Sequence, residues 1–151
     1  MFNSSIIAPA VREIFEFMIG MDLTVHADSS PLPGYHLNSV SAVIGFSGAT
    51  RGMVAIHCPE QVALAISSAL LDTNETEVTA DVRDAMGEVA NMVAGGIKAA
   101  ATKQGAELEL SIPTTVCGER YSVGGFPSAK KTAVEFSIKE GNFFVEIRYV
   151  G

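Results

Sequence analysis

The chain has 151 residues, 48% of them hydrophobic, which suits one compact domain, 1–151, around a single core. A formal charge of −7 with only ten Lys and Arg removes the attraction that drives nucleic-acid binding. No apolar run approaches the roughly 18 residues of a membrane span and no basic-then-apolar leader opens the chain, so no membrane contact and a cytoplasmic setting are expected.

Ile7, Val11, Ile14, Phe15 and Met18 recur at helical spacing and predict a helix over Ser5 to Ile19, with Pro9 in its first turn and Gly20 as its stop. Gly20 to Asn38, with Ala27 to Gly34 polar and proline-containing, predicts a loop or irregular edge segment. Ser39 to Phe46 and Gly52 to Cys58 are rich in β-branched residues and predict a hairpin turning at Ser47 to Arg51. Pro59 opens a helix to about Leu71, buried through Val62, Ile66, Ala69 and Leu70.

After a polar connection, the longest helical pattern runs from Thr79 or Ala80 to Lys103, with Thr79 as N-cap, Asp81 at the positive helix end and Gly105 as the stop. Strands are predicted at Leu108 to Cys117, Thr132 to Lys139 and Phe143 to Val150, the last two joined by a tight turn at Glu140 to Asn142. Gly118 to Lys131 predicts an exposed loop. The final strand, Phe143 to Val150, suits either pairing of sheet edges across a dimer or a place inside the sheet. Short turns between neighbouring strands make the sheet largely antiparallel with helices packed on it, an α+β fold.

Several chemistries find no support. His26, His36 and His57 lack metal-ligand spacing, so no metal site is expected. The glycines at 45, 48 and 52 lack the Gly-Lys-Ser/Thr ending of a phosphate loop, and no Gly-x-Ser-x-Gly elbow occurs. Cys58 and Cys117 fall in expected strands and read as two reduced thiols packed in the core.

Residues 10–20 align with residues 85–95, matching Ala10 to Ala85, Glu13 to Glu88 and Gly20 to Gly95. Each of these helices precedes a hairpin region, which suggests a pseudo-twofold helix-plus-strands repeat. In that alignment Glu16 stands where Asn91 stands, so the first helix keeps the carboxylate and lacks the amide.

On the long helix, rotation by about 100° per residue gathers Val82, Met86, Val89, Val93 and Ile97 on one side, the expected core face. The opposite side carries Asp84, Glu88, Asn91 and Gly95, with Gly87, Ala94 and Lys98 beside them. Glycine in a helix interior costs roughly 1 kcal/mol relative to alanine, so Gly87, Gly95 and Gly96 weaken the helix. What they provide is a low surface from which a carboxylate and an amide project side by side.

The pattern of Asp84, Glu88 and Asn91 at i, i+4 and i+7, followed after 21 intervening residues (92–112) by Pro113, resembles the signature of the CheC/CheX/FliY family of chemotaxis phosphatases. With one intact copy and one altered helix, the chain resembles the CheX type. The resemblance implies a homodimer that hydrolyses the aspartyl phosphate of a CheY-like response regulator, with no cofactor of its own and Mg²⁺ held by the regulator. It further implies that Glu88 pairs with the regulator's active-site lysine. Asn91 suits orienting the attacking water, because phosphoryl transfer needs a positioned nucleophile more than a strong base, and a neutral amide adds no negative charge beside the phosphoryl oxygens. Asp84 and Pro113 are expected to support the site, with Gly87, Gly95 and Lys98 bordering it. The rival expectation is an adaptor that binds a response regulator or flagellar component without hydrolysis.

Overall fold

The protein is described by a computed structural model at residues 2–28, 32–125 and 127–151. Helix α1 spans Ser4–Glu13, capped by Asn3, whose Oδ1 accepts the Ser5 N–H at 3.0 Å. It continues as a π-helical extension, Ile14–Ile19, closed by Gly20 at φ +82°. There follow β1 (Thr24–Asp28), β2 (His36–Gly48), β3 (Arg51–Pro59), α2 (Glu60–Leu71) and α3 (Ala80–Lys103). The chain then adds β4 (Leu108–Leu110), β5 (Thr114–Tyr121), β6 (Lys130–Ile138) and β7 (Gly141–Val150).

These strands form one sheet in the order β1-β6-β7-β3-β2, with β4 and β5 both pairing the far side of β2, and every pairing is antiparallel. The α+β expectation therefore holds. The order is unchanged when β1 is exchanged for β5, β6 for β2 and β7 for β3, which is the symmetry the repeat suggested. Each half lends its outer strand to the other: β1 pairs β6, and β5 pairs β2.

All three helices join the sheet in one core. Val40, Ala42, Ile44, Val54, Ile56, Val145 and Ile147 meet Val11, Val62, Ile66, Met86, Val89, Val93 and Ile97. Phe15 of the π-helical extension stacks on Phe143, and Phe143 on Phe136, with centroids 5.1 and 5.4 Å apart.

Several local expectations change. The helix starts at Ser4, so Pro9 lies in its second turn rather than its first. Met18 is exposed because the wider π turn advances the buried stripe from Phe15 to Ile19 instead. In α2 Ala69 is exposed, and Ala63 and Ser67 take its place in the core. Within the segment expected to be irregular, Thr24–Asp28 forms β1 against β6, while Ser29, Ser30 and Pro31 lie outside the described residues. The predicted strand Leu108 to Cys117 is broken at Ser111 to Pro113, since proline has no N–H to offer a ladder. The loop expected over Gly118 to Lys131 is shorter, because β5 extends to Tyr121 and β6 starts at Lys130; Phe126 is outside the described residues. The β6–β7 turn is Lys139–Glu140. Cys58 is buried, and burial pushes its thiol pKa up, but Cys117 is exposed on β5 rather than packed in the core. Strand β7 lies between β6 and β3, so of the two readings offered for it the inner one is correct.

The sheet face away from the helices holds a buried polar chain. Ser41 Oγ lies 2.6 Å from His57 Nδ1 and 2.7 Å from Tyr121 Oη, and His57 Nε2 lies 2.5 Å from Glu146 Oε2. Arg148 Nε donates to Glu146 Oε1 at 2.5 Å, and the His36 ring stacks on His57 at 4.2 Å. Burial alone would raise the Glu146 carboxyl pKa, but the bonds from His57 and Arg148 and their charges outweigh it and hold it below its ordinary value. His57 thus bridges Ser41 and Glu146, and the buried polar groups of Ser41, His57 and Glu146 bond one another. Ser41 and Glu146 are wholly buried, which makes this constellation a brace across β2, β3 and β7.

Candidate functional site

Helix α3 is fixed at both ends and along its inner face. Thr79 Oγ1 accepts the Val82 N–H at 3.4 Å, and Gly105, at φ +84°, follows the last turn. Ser67 Oγ of α2 donates to the Val82 carbonyl at 3.4 Å. A Cβ on Gly96 would meet the Ala10 Cβ at 3.2 Å, so this glycine lets α1 and α3 approach closely. Val82, Met86, Val89, Val93 and Ile97 are fully buried, as their periodicity predicts.

The outward face is equally definite. Asp84, Glu88, Asn91 and Lys98 are exposed, and Gly95 is partly exposed with nothing within 4 Å of where a Cβ would stand. Among the described residues none of the ion pairs involves these side chains. Glu88 and Asn91, three residues apart, point about 60° from one another with a rise of about 4.5 Å between them. A free carboxylate and a free amide thus stand together over bare helix at Gly95.

Gly87 and Ala94 depart from the expected open surface: both are buried, Gly87 beneath the start of β5. A Cβ there would lie 3.4 Å from Pro113 Cγ and 3.6 Å from Thr115 Oγ1. Thr115 Oγ1 in turn donates to the Arg83 carbonyl at 3.2 Å. Pro113 and Thr115 therefore fasten β5 to the helix one turn from Asn91. Thr115 carries no motif in the sequence; only the register of β5 on β2 brings it to the helix.

The corresponding face of α1 is built differently. Glu13 ends the α-helical part, Glu16 lies in the π-helical extension, and Arg12 Nη1 bonds Glu16 Oε1 at 2.9 Å. The two carboxylates therefore do not share the regular helical spacing of Glu88 and Asn91. Among the described residues no helix is long and apolar enough to cross a membrane, and no cluster of His, Cys, Asp and Glu could hold a metal ion.

A family model described as the chemotaxis phosphatase CheX matches residues 40–137, a span that includes all of α3 and Pro113. A comparison with curated protein sequences gives no match. Among solved structures, chemotaxis protein CheX of Desulfovibrio desulfuricans is 24% identical with a TM-score of 0.87, over 97% of this chain and 98% of that one. CheX of Vibrio vulnificus is 26% identical with a TM-score of 0.85, over 95% and 96%. The CheX–CheY–BeF3–Mg²⁺ complex of Borrelia burgdorferi matches at 17% identity and a TM-score of 0.85, over 99% of both chains.

Proposed function

This chain belongs to the family of the chemotaxis phosphatase CheX, and from that premise we propose that it hydrolyses the aspartyl phosphate of a CheY-like response regulator by laying α3 over the phosphorylated pocket. The observation that carries the reading is the pairing of an exposed, unengaged Glu88 with an exposed Asn91 on one turn of a helix whose next turn is bare. The complex of a relative with CheY, BeF3 and Mg²⁺ supports the choice of partner.

Asn91 accepts a hydrogen bond from a water and holds it in line with the phosphorus. The water oxygen bonds to phosphorus as the bond to the aspartyl oxygen breaks, leaving inorganic phosphate and a free carboxylate, and the water's proton departs with the phosphate. Glu88 pairs with the regulator's lysine and fixes the register of docking. Asp84 and Lys98 border the docking face, and Pro113 on Gly87 sets the helix position without touching phosphate. The chain brings no cofactor; the regulator supplies Mg²⁺, which neutralises charge on the phosphoryl oxygens. We place the protein in the cytoplasm, as a homodimer with one active helix per subunit, its 151 residues acting as one domain.

The test is direct: a CheY-like regulator is charged with a small-molecule phosphodonor, freed of excess donor, and its dephosphorylation followed with and without this protein. Acceleration supports the phosphatase. Stable binding of the phosphorylated regulator without acceleration would replace it with the adaptor.

A further inference from the structure

We infer that Thr115 is a positioning residue for Asn91: its hydroxyl, bonded to the Arg83 carbonyl, fixes how α3 is turned about its own axis and so where the amide holds its water. The inference rests on the phosphatase reading and deepens it.

A threonine on an edge strand needs no explanation by itself, since β-branched residues suit strands. What distinguishes Thr115 is where its hydroxyl goes. Strand β5 is exposed along most of its length, and Thr115 is half-buried because it turns onto α3. Its Oγ1 donates to the Arg83 carbonyl at 3.2 Å, and among the described residues this is the one hydrogen bond that joins α3 to the sheet. The rest of the hold is apolar, through Met86, Val89, Val93 and Ile97. A roll of about 10° leaves that stripe buried, because apolar burial has no preferred direction. A hydrogen bond weakens steeply off its line and so resists the same roll.

The bond enters the helix on the line that leads to Asn91. In an α-helix the Arg83 carbonyl also accepts the Gly87 N–H, and the Gly87 carbonyl accepts the Asn91 N–H, so Arg83, Gly87 and Asn91 follow one another along one line of bonds. Gly87 leaves room for the hydroxyl: an added Cβ would already touch Oγ1 at 3.6 Å, and a longer side chain would part the two elements. On its other side Thr115 pairs with Ala42 of β2, a core residue with no exposure. The hydroxyl therefore ties the line carrying Asn91 to a core strand. The amide lies about 5–6 Å from the helix axis, so a roll of about 10° moves it about 1 Å, a displacement that can cost a positioned reaction about 100-fold. Glu88 has the longer and freer side chain and can follow the regulator's lysine through such a shift, so docking is spared.

The experiment compares Thr115→Val, Thr115→Ser and Asn91→Ala in steady-state dephosphorylation of a phosphodonor-charged CheY-like regulator that the native protein dephosphorylates, well below every variant's thermal midpoint. Valine keeps the shape and strand preference of threonine, so the fold is retained. Thr115→Val is expected to lower kcat about tenfold with KM within about twofold of native, and Thr115→Ser, which keeps the hydroxyl, to restore kcat. A native kcat in Thr115→Val alongside an inactive Asn91→Ala overturns the positioning role and leaves the phosphatase reading standing. A kcat as low in Thr115→Ser as in Thr115→Val also overturns it, because the hydroxyl would not be responsible. So does a raised KM at native kcat, which would give Thr115 a part in docking instead. Native activity in Asn91→Ala overturns the phosphatase reading, and the positioning role with it.

Discussion

Arg12 occupies in the first helix the position that Gly87 occupies in α3, and its guanidinium holds Glu16 at 2.9 Å. The pair spans the point at which α1 widens into π geometry, so the position equivalent to Asn91 is both charged and turned away from Glu13. Glu16→Asn is therefore expected to leave the rate of regulator dephosphorylation within about twofold of native, since the amide would still lack the helical register that sets Asn91 beside Glu88. A doubling or more of the rate, surviving in the Asn91→Ala background, would show that α1 needed only the side chain.

Asn91→Ala is expected to slow phosphate release about 100-fold or more, the scale of lost positioning in enzyme sites, while binding of a regulator carrying a phosphate mimic stays close to native. Glu88→Ala should weaken binding and rate together. Both residues are exposed, so neither variant should lower the thermal midpoint, and Asn91→Ala should raise it slightly because alanine is the better helix former; calorimetry alongside the kinetics checks this. Full binding by Glu88→Ala would remove its clamping role.

Gly95 offers a test of the bare surface itself. Nothing lies within 4 Å of an added Cβ, so Gly95→Ala should stabilise the isolated protein by about 1 kcal/mol, roughly 2–4 °C in Tm. The same methyl would stand where the regulator approaches the helix backbone, so KM should rise. Higher stability with an unaltered KM would place the partner elsewhere.

Acid should loosen the helix-free face. Burial, and then the stacked His57 ring, lower the His36 pKa from 6.5 to about 4, with Arg148 acting in the same direction and Glu146 against it. The unfolded chain then binds a proton that the folded chain refuses between about pH 6.5 and 4, so the stability from neutral His36 is lost as the pH falls through that window. Glu146, held below its ordinary 4.5, adds a further loss as the pH drops below that value. Urea midpoints at pH 7 and pH 5 should differ less in His36→Phe than in the native protein. Equal differences would remove His36 from the account.

The residues that face the regulator in this reading were legible in the sequence, because Glu88 and Asn91 lie on a long, regular α-helix where rotation per residue predicts the exposed side, and both are exposed. Gly87 was not, since its burial depends on Pro113 arriving from a strand paired elsewhere. Met18 misled for a different reason: an α-helical period was applied to a stretch whose hydrogen bonds skip one residue more. Strand β1 and the brace around Glu146 escaped because their partners, Ser137 for Thr24 and His57 for Glu146, are far away in the chain and leave no local pattern.

The exchange of outer strands has a consequence for what this architecture can lose. Thr24 pairs with Ser137 at one margin of the sheet, and His36 with Tyr121 at the other, so neither half possesses a complete set of neighbours by itself. Deleting the half with the tethered glutamate would strip the surviving half of a margin and bare its ladder to water or to other chains. In such a fold one helix can exchange its surface side chains one at a time, but the half that carries it cannot be cut away.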